Sequence, residues 1–144
     1  MSDNAIGTGE WLQVTQDMVN KFADLTGDHQ WIHVDVHRAE SGPYRTTIAH
    51  GFLTLALLSQ LSRADRPHPP GTTMAVNYGL NRVRFPAPVP VGSRIRARTR
   101  NVGEDRIAED VVQVTYEISI EVAGGTKPAC VAEMVCRYQR QGDS

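Results

Sequence analysis

The chain has 144 residues, of which 40% are hydrophobic and 22% are charged. This composition is typical of one globular domain and excludes a disordered or collagen-like chain. Fifteen Lys and Arg residues against sixteen Asp and Glu residues give a formal net charge of −1, so the charge predicts neither nucleic acid nor a membrane as partner. No apolar run reaches the roughly 20 residues that span a bilayer. The first residues resemble no secretion signal, and we expect a cytoplasmic protein.

The two cysteines, Cys130 and Cys136, fall in one predicted strand. Six residues of extended chain separate their Cα atoms by roughly 20 Å, whereas a disulfide needs about 7 Å or less. We therefore predict two free thiols, which agrees with a reducing compartment.

The first part of the chain predicts an arm, a strand and a helix. We expect residues 1–9 to be a loose N-terminal arm and residues 10–144 to form a single domain, which starts with a short strand at 10–14. Thr15 is a suitable N-cap, and Gly27 is typical of the position that ends a helix. Apolar residues at helical spacing predict the buried face of this helix: Met18, Val19, Phe22, Ala23 and Leu25.

A loop and a second helix are predicted next. Residues 28–47 are polar and contain the breaker Gly42-Pro43, which favours a loop with one helical turn near residues 37–41. Residues 49–61 read AHGFLTLALLSQL. A helix that is apolar on every face is a buried helix, so we predict one long central helix. The charged, proline-rich residues 62–71 predict a surface loop.

From residue 72 onward the hydrophobic period changes to two, which indicates β-strands. Four runs alternate in this way, around residues 74–80, 94–100, 112–122 and 129–138, and turns are predicted at 103–105 and 124–125. Helices followed by antiparallel strands define an α+β domain. A strongly curved sheet wrapped around the apolar helix would cover most of it. One face of the helix, or the outer edge of the sheet, would remain uncovered and would need a partner, which favours a dimer.

One run of strand residues carries four arginines on a single face, at positions 94, 96, 98 and 100. We predict that this face is exposed and that Glu117 and Glu121 on a neighbouring strand balance its charge. One or two of these arginines, or Arg82 and Arg84, could instead contact the phosphates of a nucleotide-bearing substrate. The residues leave this choice open.

Residues 28–37 concentrate three histidines and two aspartates within ten positions. A solvated loop explains most such clusters. Trp31 and Ile32 lie among the polar residues, however. An Asp and a His held beside apolar groups can have shifted pKa values and can act as an acid–base pair. The spacing of His29 and His33, and the sequence His33-Val34-Asp35, also imitate metal motifs. We predict no metal site, because Gly27 ends the preceding helix and no clear third ligand follows.

Three motifs in order resemble the MaoC-like, (R)-specific enoyl-CoA hydratases of the hot-dog fold. The first motif is matched by Phe22, Thr26, Gly27, Asp28, Ile32, His33 and Ala39. The second is the segment AHGFL at residues 49–53, and the third is RFPAPVPVG at 84–92. Gln30-Trp31 replaces the Asn-Pro of the family, as in the branch related to nodulation protein N. The bulky Trp31 is expected to reshape the substrate pocket.

The resemblance implies that Asp28 and His33 hold a water molecule and act as the acid–base pair. They would add this water syn across a trans-2-enoyl thioester and give an (R)-3-hydroxyacyl thioester. The resemblance assigns the oxyanion-binding N–H to Gly51, and Gln30 and Ser59 would orient the substrate. Ser59 could instead bond back to its own helix. His29, Asp35, His37 and His50 are expected to have no catalytic role.

We therefore predict a cofactor-free enoyl-CoA hydratase or dehydratase that works as a homodimer on acyl-CoA. A hot-dog thioesterase is the nearest alternative, since an activated water could attack the thioester carbonyl instead. A non-catalytic acyl-thioester-binding subunit is the alternative from another class, because a fold alone does not fix a function.

Overall fold

The computed structural model describes residues 5–141 and consists of one antiparallel sheet with helices packed on one face. The strands are β1 (Gly7–Thr8), β2 (Leu12–Gln13), β3 (Thr72–Arg84), β4 (Arg94–Ala108), β5 (Val111–Val122) and β6 (Cys130–Arg140). Their order in the sheet is β1-β4-β5-β6-β3, and β2 pairs with β4 beside β1. The helices are α1 (Gln16–Thr26), α2 (Trp31–Val34), α3 (Val36–Ala39), α4 (Gly51–Ala56) and α5 (Leu58–Ser62), followed by a 3₁₀ turn at Arg63–Asp65. None of these helices is long and apolar enough to cross a membrane.

The predicted first helix is confirmed at both ends. The Thr15 hydroxyl accepts a hydrogen bond from the Met18 N–H, and Gly27 ends α1 with a φ of 78°, a left-handed conformation that glycine adopts without strain. Val19 and Ala23 are buried. Leu25 was expected on the buried face but is 83% exposed, because the stripe that faces the sheet is narrower than the apolar pattern suggested.

Two predictions for the first fifty residues are wrong in detail. Gly7–Thr8 is not loose, since these residues pair with Thr99 and Arg98 of β4; residues 1–4 of the predicted arm lie outside the described residues. The helical turn predicted near residues 37–41 is present as α3, but the loop predicted before it contains the unpredicted helix α2, which carries His33. These one-turn helices are too short to show a hydrophobic period.

The single long central helix is not confirmed. It is divided at Leu57 into α4 and α5, where the Leu57 N–H is shared between the carbonyls of Leu53, at 3.0 Å, and Thr54, at 3.2 Å. The helix is also not buried on every side: Phe52 is 70% exposed. Leu53, Leu58 and Leu61 face the sheet and form the core with its inner residues. The sequence pattern overestimated burial because the helix contacts the sheet on one side within a single copy.

The inner face of the sheet follows the predicted alternation. The core includes Val114, Tyr116, Ile118 and Ile120 of β5 together with Cys130, Ala132, Met134, Cys136 and Tyr138 of β6. Both cysteines are free and buried, as predicted. On the outer face Arg96 and Arg98 contact Glu121, and Arg100 contacts Glu117, which confirms the predicted charge balance.

One predicted turn is correct and the other is misplaced. The chain turns at residues 123–124, next to Gly125. It does not turn at 103–105, because β4 continues to Ala108 and Gly103 marks only a register shift between β4 and β5. Glycine inside a strand is as typical of a bulge as of a turn.

Strand β3 is the edge of the sheet and pairs with β6 on one side only. The predicted strand is present, but a register shift between Asn77 and Gly79 interrupts its alternation. Leu80 is therefore opposite the core residue Met134, whereas Met74 and Val76 are opposite Gln139 and Arg137 on the other face. Met74, Val76, Tyr78 and Leu80 are all 43–58% exposed. An exposed edge strand with apolar side chains is unusual for an isolated domain.

Candidate active site

The candidate site is built where the chain leaves α1 and enters α2. Gly27 turns the chain in the left-handed conformation and places Asp28 directly after the helix. Asp28 is exposed, and its Oδ1 accepts a long hydrogen bond of 3.4 Å from the Gln30 N–H. The carboxylate is therefore open to a substrate or to water and is only weakly held by its own side-chain contacts.

His33 lies on α2 and is buried, with 6% of its surface exposed. Its Nδ1 lies 2.7 Å from the carbonyl oxygen of Ile48. Because a carbonyl only accepts, Nδ1 carries the proton and the neutral ring keeps its lone pair on Nε2. Burial lowers the pKa of His33 below its usual 6.5, and neighbouring His50 adds to this, while the Ile48 carbonyl and Asp28 oppose it. Neutral His33 is therefore a base at physiological pH.

His50, which we expected to play no part, lies against both of these residues. Its ring stacks on that of His33 with a centroid distance of 3.9 Å and an interplanar angle of 24°. Its Nε2 lies 2.9 Å from the backbone oxygen of Asp28, and its opposite neighbour is the Phe22 ring at 5.0 Å. The histidine of the AHG segment was the available signal, but only the tertiary structure shows what it contacts.

Asp28, His33 and His50 each offer a polar ligand atom, and these atoms lie within 4.8 Å of one another. The structure thus brings the predicted Asp–His pair together. Two histidines and one carboxylate also form a familiar metal-ligand set. Imidazole lone pairs lie in the ring plane, and the planes of the two stacked rings are nearly parallel. The rings would have to rotate to converge on one ion, so the present geometry suits proton transfer better.

A cavity of about 250 Å³ opens beside His33 and Gly51, and its wall includes Tyr44, Thr54 and Phe85. Gly51 is the first residue of α4, so its N–H has no acceptor within the helix. A Cβ at Gly51 would lie 3.2 Å from the Phe85 ring. A side chain here would therefore crowd Phe85, which would have to shift by a few tenths of an ångström.

The structure does not bring every predicted residue to this cavity. The backbone of Gln30 lies between Asp28 and His33: its N–H contacts Asp28, and its carbonyl accepts from the His33 N–H at 3.0 Å. Ser59 lines two neighbouring cavities, and its Oγ accepts a hydrogen bond of 3.2 Å from Arg66. Trp31 does not line the cavity beside His33. Its ring packs under the guanidinium of Arg38 at 4.3 Å.

The other polar residues of the segment have structural partners. His29 contacts Asp24 at 2.9 Å, and the Asp35 side chain caps α3 by accepting from the Arg38 N–H at 3.0 Å. His37 is exposed on α3. These contacts explain the composition of the segment without a second reactive site.

The sequence pattern that defines the MaoC like domain matches residues 2–123. The chain therefore belongs to the MaoC-like family, and the predicted resemblance is confirmed. Among its relatives is 3-hydroxyacyl-thioester dehydratase Z of Mycobacterium tuberculosis, which is 56% identical over 133 residues, covering 92% of this chain and 87% of that protein. Nodulation protein N of Rhizobium meliloti is 42% identical over 136 residues, covering 93% of this chain and 84% of that protein.

A solved structure supports the fold. The unliganded R-hydratase PhaJ1 of Pseudomonas aeruginosa superposes with a TM-score of 0.73 at 20% identity, over 98% of this chain and 84% of that one. This likeness places the sheet and its helices in the hot-dog class, as predicted, with the central helix divided as described above.

Proposed function

We propose that the protein is an (R)-specific enoyl-CoA hydratase, or the reverse 3-hydroxyacyl-CoA dehydratase. The observation that carries this proposal is the proximity of the Asp28 carboxylate to the buried, neutral His33. His33, although not Asp28, lines the cavity bounded by Gly51. The relatives named above include a 3-hydroxyacyl-thioester dehydratase and an R-hydratase, which supports the same reaction class.

The chemistry starts from a water molecule between Asp28 and His33. The Asp28 carboxylate accepts one of its hydrogen bonds and orients it. His33 accepts a proton on Nε2, because the Ile48 carbonyl holds the other proton on Nδ1. The water oxygen bonds to C3 of the enoyl thioester as that proton leaves. The imidazolium then returns a proton to C2 on the same face, which gives syn addition.

Negative charge develops on the thioester oxygen while C3 is attacked. The unpaired N–H of Gly51 is the proposed donor for this oxygen, and a fixed donor of this kind is typically worth a few kcal/mol in the transition state. Gln30, beside Asp28, and Ser59, further along the helix, are proposed to orient the substrate. No step of this mechanism uses a cofactor or a metal.

We also propose that two copies associate through β3. The outer edge of this 13-residue strand is unpaired in the described sheet. Of its exposed apolar side chains, Leu80 lines one cavity together with Phe52, and Phe52 contacts Phe85 just after the strand. An edge strand pairs readily with an antiparallel copy of itself about a two-fold axis. A homodimer would cover this apolar surface.

The function is tested by mixing the purified protein with crotonyl-CoA and following the loss of the conjugated enoyl-thioester absorbance. We expect (R)-3-hydroxybutyryl-CoA by chiral analysis. Asp28→Asn and His33→Gln should each reduce the rate at least about a hundredfold, as loss of a general acid or base does. His29→Gln is the matched control, because His29 belongs to the same segment but contacts exposed Asp24.

Three outcomes contradict the proposal. Release of free CoA thiol would indicate the thioesterase reaction instead. Acyl-CoA binding without turnover over a series of chain lengths would indicate a binding subunit. Full activity in both Asp28→Asn and His33→Gln would refute the assigned acid–base pair.

A further inference from the structure

Arg66 is a buried cation that forms no ion pair with the carboxylates of residues 5–141. Its side chain follows the 3₁₀ turn after α5 and is only 8% exposed. The preceding Asp65 is turned toward Gly7, and its Oδ2 is buried without a hydrogen-bond partner. Charged side chains are rarely buried in this way unless they are paired.

The partners of Arg66 within the chain are all neutral. Nε donates to the Ser62 Oγ at 2.7 Å, and Nη2 donates to the Ser59 carbonyl at 2.9 Å and the Ser59 Oγ at 3.2 Å. Nη1 donates to the Cys136 Sγ, at 3.7 Å, and a thiol is a weak acceptor. The guanidinium also lies near the Tyr138 hydroxyl and over the Tyr116 ring, at 5.6 Å. Burial raises the pKa of Cys136, so this thiol supplies no negative charge. The guanidinium is thus least strongly hydrogen-bonded at Nη1.

Arg66 lies in the wall of an open cavity of about 440 Å³. Arg63 and His68 line the same cavity and add two further cationic or donor groups. Its lining includes no Asp or Glu. A recess with this composition favours an anionic oxygen group such as a carboxylate or a phosphate.

An apolar cavity lies next to this recess. It has a volume of about 350 Å³, and its lining includes Phe52, Leu55, Leu80 and Met134. It shares Ser59 and Asn77 with the Arg66 recess. It shares no lining residue with the cavity beside His33, but its residue Phe52 has its ring centroid 6.2 Å from that of Phe85, which lines that cavity. The cavity beside His33 thus lies at the start of α4, the apolar cavity lies along α4 and α5, and the Arg66 recess lies after α5.

We propose that Arg66 binds a carboxylate at the far end of the acyl chain, so that the preferred substrates are enoyl thioesters of dicarboxylic acids. This inference rests on the proposed function and names its substrate class. The apolar cavity fits the methylenes between the reacting double bond and the terminal carboxylate. A phosphate of the thioester carrier offers the same anionic oxygens, but the polar amides of a carrier arm match an apolar cavity less well.

The substrate test compares trans-2-enoyl-CoA thioesters of equal chain length that end in a methyl group or in a carboxylate. The wild type should prefer the carboxylate in kcat/KM by about tenfold or more, as expected for a charge-assisted pair in a buried site. Arg66→Met should reverse this ratio, and Arg66→Lys should retain part of it. Arg98→Met is the control, because Arg98 is an exposed arginine on the outer sheet face paired with Glu121.

A binding test that needs no turnover separates this inference from the proposed function. Suberate and 3′,5′-ADP are titrated into the wild type and the two Arg66 variants by calorimetry, with thermal unfolding as the check on folding. Suberate binding that is lost in Arg66→Met supports the inference even if no hydration is found. Binding of 3′,5′-ADP that depends on Arg66 would overturn it in favour of the carrier phosphate. An unchanged substrate ratio in Arg66→Met, or no suberate binding by the wild type, would also overturn it.

Discussion

Replacement of His50 tests whether its contacts with Asp28 and His33 contribute to catalysis separately from their contribution to stability. His50 does not line the cavity beside His33, and its Nδ1 is buried without a hydrogen-bond partner among residues 5–141. It therefore acts through its neighbours. The Nε2–H fixes the backbone of Asp28, the ring face fixes the plane of His33, and its carbonyl accepts from the N–H groups of Leu53 and Thr54 at the start of α4.

The structure allows the two effects to be estimated for His50→Phe. The substitution keeps a ring against His33 but removes the hydrogen bond to Asp28, which costs about 1 kcal/mol. It also removes the unpartnered Nδ1, whose burial costs about 1–3 kcal/mol. These contributions have opposite signs, so we expect a change in the free energy of unfolding of no more than about 2 kcal/mol in either direction. Displacing Asp28 by even 1 Å should reduce kcat about 100-fold.

The matched variant is His50→Gln, whose amide reaches the position of Nε2 but provides no ring to stack on His33. If catalysis depends more on the position of Asp28 than on that of His33, kcat should fall less in His50→Gln than in His50→Phe. KM should change little in both variants. The assays are crotonyl-CoA hydration, urea unfolding and ¹⁵N NMR of the His33 ring. Both variants should show an altered His33 spectrum. Wild-type kcat together with a wild-type His33 spectrum in both variants would refute the positioning role.

Three further predictions concern pH, helix capping and assembly. The lowered pKa of His33 means that the unfolded chain binds this proton more readily, so the free energy of unfolding should fall as the pH decreases from 6.5 toward the folded-state pKa. Urea titrations at several pH values in this range should show that the free energy of unfolding depends less steeply on pH in His33→Gln than in the wild type. Thr15→Ala removes the hydrogen bond to Met18 and should cost about 1 kcal/mol in the same assay, whereas an unchanged midpoint would show that water replaces the cap. Val76→Lys on the β3 edge should shift the protein toward monomer in sedimentation velocity, and a wild-type monomer would contradict the proposed dimer.

The sequence by itself determined those features that depend on interactions between residues close together in the chain. Thr15 and Gly27 fixed the ends of α1 because capping depends only on backbone groups a few residues away. The alternation of β5 and β6 predicted which side chains form the core, since successive residues of a strand point to opposite faces. The order of the three motifs was sufficient to indicate the family, and the resemblance supplied Asp28 and His33 as the proposed acid–base pair.

The tertiary structure alone decided what depends on contacts between distant segments. The sequence did not show that His50 would stack on His33, seventeen positions earlier, or that the apolar central helix would divide at Leu57. It also did not show that Arg66 would be buried against Cys136, seventy positions away, since an arginine in a charged, proline-rich segment is ordinarily on the surface. Burial and pairing are properties of the packed chain, so the positions of these charges and rings were fixed only when the sheet closed over the helices.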